Sequence, residues 1–167
     1  MLKRVGAPIP HVLAVQANLA SSYYGLGRGE QALNLRREVY FGYARLFGKE
    51  HTDTLMVAEN YTLSLLGERR FKETKSLLLK TLPVARRVWG TSHISTLRIR
   101  WNYATALCND AGATLDDLRE GVTILEEIEP TMRRVLGGAH PLTVDVEANL
   151  REARAALRAR ETPSTSA

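Results

Sequence analysis

Three histidines recur at regular intervals: His51, His93 and His140, spaced by 42 and then 47 residues. A histidine can ligate a metal, carry a proton or accept a hydrogen bond at a helix start. Each sits in nearly the same phrase: "RLFGKEHTDTL" (45–55), "RVWGTSHISTL" (87–97) and "RVLGGAHPLTV" (134–144). The chain opens with a shortened form, "RVGAPIPHVL" (4–13). Metal ligands must all lie about 2 Å from one ion. Helical units that repeat over such distances are displaced by roughly 10 Å. These histidines therefore cannot share a metal, and capping and packing are their expected roles. Cys108 is the single cysteine, which excludes an internal disulfide and a cysteine zinc site. It has no recurrent histidine partner and is expected to pack. No H-E-x-x-H, G-x-S-x-G or glycine-rich phosphate loop is present, and "GLGRGE" (25–30) follows a helical pattern where a nucleotide turn needs a strand. The expectation is a protein without catalytic residues, cofactor or metal.

A second set of side chains recurs in step. Asn18, Asn60 and Asn102 lie 42 residues apart, and Asn149 follows after 47. Two independent markers thus share one period and one five-residue insertion. Side-chain amides in a column can donate to and accept from the backbone of an extended peptide. They can equally bond a neighbouring helix and hold a stack together, since most side-chain hydrogen bonds are internal or to water.

Between the joints the pattern is helical. "HVLAVQANLASSYYGLG" puts Leu13, Ala17, Ala20 and Tyr24 on one face, and "GEQALNLRREVYFGYARLFG" does the same for Ala32, Leu35, Val39, Tyr43 and Leu46. Gly25, Gly27 and Gly29 mark the turn between them. Each unit reads as helix A, turn, helix B and joint. Gly48, Gly90 and Gly137 are placed to end helix B in a left-handed residue. Thr52, Ser92 or Ser95, Pro10 and Pro141 suit the next helix start. The insertion falls in "CNDAGATLDDLREG" (108–121), where Asp110 or Thr114 is placed to cap the following helix. Pro83 and Pro130 share one position inside helix B and predict a bend there, while Phe41 at the same place predicts a straighter helix.

The joints "EHTDTL" and "AHPLTV", the segment "ANLASSYYGLG" and the 42-residue period resemble tetratricopeptide repeats (TPR), most closely the long kind found in kinesin light chain. The resemblance covers roughly residues 2–157. Arg69 and Ala111 stand where that family has its turn glycine, Thr74 and Gly121 where it has a small alanine, and Ile9 where it has the first joint histidine. The resemblance implies an all-α, right-handed superhelical solenoid of helix-turn-helix repeats, with about three hairpins and a final helix in residues 1–160 and a disordered tail over 161–167. It also implies a protein–protein interaction scaffold that holds a peptide in its concave groove. The expected contacts are Asn18, Asn60, Asn102 and Asn149 to peptide backbone, Arg98 to an acidic side chain, and Tyr24 and Met56 lining apolar pockets.

The net charge is +5, but residues 1–92 carry +7 and residues 93–167 carry −2. Arg36, Arg37, Arg45, Lys72, Lys75, Lys80, Arg86 and Arg87 all fall in B helices, which face the convex side of such an array. The residues from His11 to Gly25 include no acidic residue, lysine or arginine. A solvated outer face is therefore favoured over a nucleic-acid track, which remains an alternative, as does a purely architectural role. No apolar run approaches the roughly 20 residues of a membrane span, and the amino terminus does not read as a secretory signal. A cytoplasmic protein with protein or peptide partners is expected. "LKRVG" (2–6) reads as the end of a helix B, so self-association through the amino-terminal end is expected, with Leu13, Leu19 and Tyr23 lacking a full packing neighbour.

Overall fold

The computed structural model describes residues 9–162; the "LKRVG" stub and residues 163–167 of the tail lie outside them. Seven helices and no strand are found among the described residues: α1 (Ile9–Gly25), α2 (Gly29–Phe47), α3 (Thr52–Gly67), α4 (Phe71–Trp89), α5 (Ile94–Asn109), α6 (Leu115–Leu136) and α7 (Pro141–Glu161). Helix α7 thus reaches one residue into the segment assigned to the tail. The A helices are α1, α3, α5 and α7; the B helices are α2, α4 and α6. The chain forms two compact units, Met1–Glu68 and Arg69–Ala167.

In the first unit α1 packs on α2 and α2 on α3. Leu13 is buried, which corrects its expected exposure. The cause is Gly42 of α2: a Cβ there would lie 2.6 Å from Leu13 Cδ2, so the missing side chain lets the leucine settle against the helix. In the second unit α4 packs on α5, α5 on α6 and α6 on α7. Leu125, Ile128 and Met132 of α6 form one core with Leu97 and Ala104 of α5 and with Val146, Leu150 and Ala153 of α7. Leu78 and Ala85 of α4 form another with Ile99, Tyr103 and Leu107 of α5. Gly121 allows the close approach of α6 to α5, because a Cβ there would lie 2.4 Å from Cys108 Sγ and 3.3 Å from the Ala104 carbonyl oxygen.

The recurrent phrase is a joint, with the histidine itself as the cap. Nδ1 of His51, His93 and His140 accepts the backbone N–H of Asp53, Ser95 and Leu142, each at 3.2 Å. Thr52, Ser92 and Ser95 therefore do not cap; the imidazole reaches the N–H two residues on before they can. The preceding helix ends on Phe47 or Trp89, whose rings lie 5.1 Å and 5.4 Å from those of His51 and His93. Gly48, Gly90 and Gly137 have φ of 85°, 88° and 91° as expected, but ψ of 164°, 163° and 153°. That is extended backbone of the opposite hand, a region open essentially to glycine alone, and not the left-handed helical well. Pro141 opens α7 in its first turn.

The A–B turns differ. Gly27 has φ 71° and Arg69, 42 residues on, has φ 55°, so an arginine occupies a backbone state that glycine supplies in the first turn. Ala111 is not in that state, because the insertion builds a different turn: Asp110 Oδ1 accepts the Gly112 N–H at 3.0 Å. Thr114 caps α6 through a reciprocal box, its hydroxyl oxygen accepting from the Asp117 N–H at 3.0 Å while Asp117 Oδ2 accepts the Thr114 N–H at 2.8 Å. Pro83 and Pro130 lie inside continuous helices.

Candidate peptide-binding face

One register position per A helix carries the asparagines, and the position one turn earlier carries Ala14, Met56, Arg98 and Asp145. Residues four apart share a helix face. In the first unit, Asn18 of α1 and Asn60 and Met56 of α3 are exposed. Tyr24 is partly exposed but engaged, since the Arg36 guanidinium lies 4.7 Å from its ring centroid. That same guanidinium donates to the Asn60 carbonyl oxygen at 2.9 Å and to Ser64 Oγ at 3.0 Å. Arg36 therefore ties together two of the expected site residues. It is buried, which corrects its assignment to a solvated outer face. Burial lowers its pKa from the usual guanidinium value, with Tyr24 acting in the opposite direction. Nothing in the local sequence marks it; the sign is that Leu78 and Leu125 hold the equivalent positions in the later repeats.

In the second unit, Asn102 of α5 is buried and its Nδ2 has no hydrogen-bond partner among the described residues. Asn149 of α7 is half-buried, and its Oδ1 accepts from Trp101 Nε1 at 2.8 Å. Its acceptor is thus already used for stacking α7 against α5. Arg98 is half-buried. A small cavity of about 150 Å³ opens along the same side of α5 and α7, lined among others by Thr105, Cys108, Asn109, Asn149 and Glu152. Burial, with Asp117 adding to it, pushes the Cys108 thiol up to about 11. It is protonated near neutral pH and is a poor nucleophile.

No group of three or more His, Cys, Asp or Glu side chains able to hold a metal is found among the described residues. No described helix is long and apolar enough to cross a membrane. Lys75, assigned from sequence to the basic outer face, is held by Asp110 Oδ2 at 3.2 Å and Asp117 Oδ1 at 3.7 Å.

The helical-repeat architecture is shared with solved structures. A Podosopora anserina protein with nearly identical TPR-like repeats of the kinesin-light-chain kind aligns in two crystal structures. The first gives a TM-score of 0.77 at 21% identity, covering 90% of this chain and 69% of that one. The second gives 0.76 at 22% identity, covering 88% and 67%. BtubC (BKLC) from P. vanneervenii aligns with a TM-score of 0.67 at 13% identity over 99% of this chain and 72% of its own. No family model matches the sequence, and no match is found among curated proteins. The likeness shows the fold: an all-α helical-repeat solenoid with TPR-like repeats.

Proposed function

We propose that the chain is an intracellular interaction scaffold that holds an extended segment of a partner protein against the asparagine-bearing faces of its A helices. The observation that carries the reading is the state of the amides. Asn18 and Asn60 stand in solvent, and Asn102 keeps a buried amide nitrogen with no partner among the described residues. A buried amide without a partner costs about 1–3 kcal/mol. That nitrogen is closed to solvent, so the exposed Asn18 and Asn60 amides are the ones an arriving peptide backbone meets first. Met56 beside Asn60 and Arg98 beside Asn102 then face the ligand one turn away, for an apolar and an acidic side chain respectively. Within the second unit, the α5–α7 cavity takes a side chain of that segment.

The nucleic-acid reading loses ground, because Arg36 is buried and Lys75 is paired within the fold. A displayed random-peptide library panned against the folded chain tests the proposal. Peptides that bind Asn60→Ala or Asn102→Ala, with folding unchanged, as tightly as the unaltered chain would refute it.

A further inference from the structure

Each unit contains a helix A, its helix B and the next helix A: α1, α2 and α3 in the first, α5, α6 and α7 in the second. In the first unit the space between the two A helices is occupied from within. The Arg36 guanidinium of α2 lies 4.7 Å from the Tyr24 ring centroid of α1 and donates to the Asn60 carbonyl oxygen and to Ser64 Oγ of α3. The ring rests beside Gly67 of α3, where a Cβ would lie 3.7 Å from Tyr24 Cε2.

The repeat register carries Tyr24, Arg36, Asn60, Ser64 and Gly67 to Cys108, Leu125, Asn149, Ala153 and Ala156 in the second unit. All five counterparts line the α5–α7 cavity of about 150 Å³. The cavity is therefore the space that a phenol ring and a guanidinium fill in the first unit. It stands open because a thiol replaces the ring and Leu125 replaces the arginine.

A further exchange sets its charge. Glu152 also lines the cavity, and its register counterpart in α3 is Leu63. The site thus gains a carboxylate where it loses a guanidinium. Glu152 is the one charged side chain in the lining, and it makes no side-chain hydrogen bond or ion pair among the described residues. Its neighbours one turn away on α7 are Ala148, Asn149, Ala155 and Ala156, none of them a cation. Arg154 is held by Glu126, and Arg160 donates to the Ala113 carbonyl oxygen. Helix α5 ends at Asn109, in the cavity wall, with no basic residue in its last turn. Its carbonyl end adds negative potential beside the carboxylate.

We propose that this cavity binds the guanidinium of an arginine side chain carried by the partner segment. Glu152 accepts the planar fork through two parallel hydrogen bonds. Ala153 and Ala156, small where the first unit has Ser64 and Gly67, leave room for the methylene stem. Lysine is disfavoured, because its compact ammonium is strongly hydrated and cannot match a carboxylate in this two-point way. The source of the arginine rests on the peptide-binding reading; the site itself is tested without a peptide.

The first probe is N-acetyl-arginine methylamide, titrated into the full chain and followed by backbone amide NMR shifts. Shifts should gather at Thr105, Cys108, Asn109 and Glu152, and N-acetyl-lysine methylamide should bind more weakly. Glu152→Gln alters an exposed side chain and should remove these shifts while circular dichroism and thermal midpoint stay unchanged. Ala156→Leu narrows the cavity without touching the carboxylate and should also remove them. No shifts at these residues, shifts that survive Glu152→Gln, or a lysine probe that binds as tightly would overturn the site. The second probe is the set of library peptides that bind the folded chain. They should share an arginine whose replacement by alanine weakens binding about tenfold in the unaltered chain, but has little effect in Glu152→Gln. Peptides that depend on Asn60 and on no arginine would overturn the assignment and leave the peptide-binding reading standing. A positive single-arginine titration with no peptide binders at all would support the site and remove that reading instead.

Discussion

The Arg36 guanidinium of α2 donates to the backbone carbonyl of Asn60 in α3 at 2.9 Å while lying 4.7 Å from the Tyr24 ring centroid of α1. One buried side chain thereby links all three helices of the first unit. Removing it with Arg36→Ala should cost about 2–3 kcal/mol, the range for losing buried hydrogen bonds to a charged group. Arg36→Leu should recover most of that loss, because Leu78 and Leu125 fill the same register position with almost no exposure. Thermal midpoints of the two variants check this. A leucine variant as unstable as the alanine one would show that the polar contacts, and not the filled volume, hold the unit.

The joints and turns predict opposite outcomes for two glycine exchanges. Gly90→Ala places a Cβ at φ 88° and ψ 163° and should destabilise by about 1–3 kcal/mol. Arg69→Gly relieves a left-handed arginine at φ 55°, worth about 1–2 kcal/mol. The greater freedom of glycine in the unfolded chain offsets part of this. A small rise in thermal midpoint is expected for the second exchange and a clear fall for the first.

Acid should loosen the second unit through the α6 cap. The Thr114 N–H and hydroxyl hold the Asp117 carboxyl below its ordinary value, with Lys75 adding to the effect. The Gly112 N–H, then Lys75, does the same for Asp110. A carboxyl with a lowered folded-state pKa stabilises the fold above its unfolded value, about 3.9. That contribution is lost as pH falls through the folded value. The thermal midpoint should therefore drop as pH falls below about 4. In Asp117→Asn the midpoint should start lower at neutral pH and fall less on acidification. An identical acid profile for the variant would remove Asp117 from the account.

The interior prolines give a geometric prediction. Pro83 and Pro130 each lack the N–H that would bond the carbonyl four residues earlier, and the ring crowds that turn. The axes of α4 and α6 should bend near these residues and that of α2 should run straight past Phe41, which residual dipolar couplings along the three helices check. A straight α4 would refute the bend.

Much of the fold was legible because two markers, the joint glycine and the helix A asparagine, kept the same spacing. The helix order followed from them. The sequence offers both the joint histidines and the hydroxyls of Thr52, Ser92 and Ser95 at the helix starts, and the imidazoles take the cap because Nδ1 reaches the N–H two residues on. The sequence places Arg36 on the surface because a long basic residue in an amphipathic helix normally faces water; its burial depends on Tyr24 and Ser64, contributed by other helices. It leaves Leu13 short of a packing neighbour because nothing local shows that Gly42 opens space for it. The four asparagines share one register position but differ in environment: one loses its acceptor to Trp101 of α5, and two remain in solvent.

Those differing environments separate the amides by experiment. Asn149→Ala breaks the 2.8 Å bond from Trp101 and leaves a partly buried indole N–H unpaired, so it should lower stability by about 1–3 kcal/mol. Asn60→Ala removes an exposed side chain whose helix is held through backbone contacts, so stability should change by under about 0.5 kcal/mol. Asn102→Ala removes a buried amide nitrogen with no partner and should leave stability nearly unchanged or raise it. If the asparagine faces read peptide backbone, Asn60→Ala and Asn102→Ala should each weaken a selected peptide by about 1–3 kcal/mol. Melting temperature and peptide affinity measured on the same three proteins distinguish the roles. Large destabilisation by Asn60→Ala or Asn102→Ala, with affinity lost only in step with unfolding, would make these amides structural and reject the peptide-binding reading.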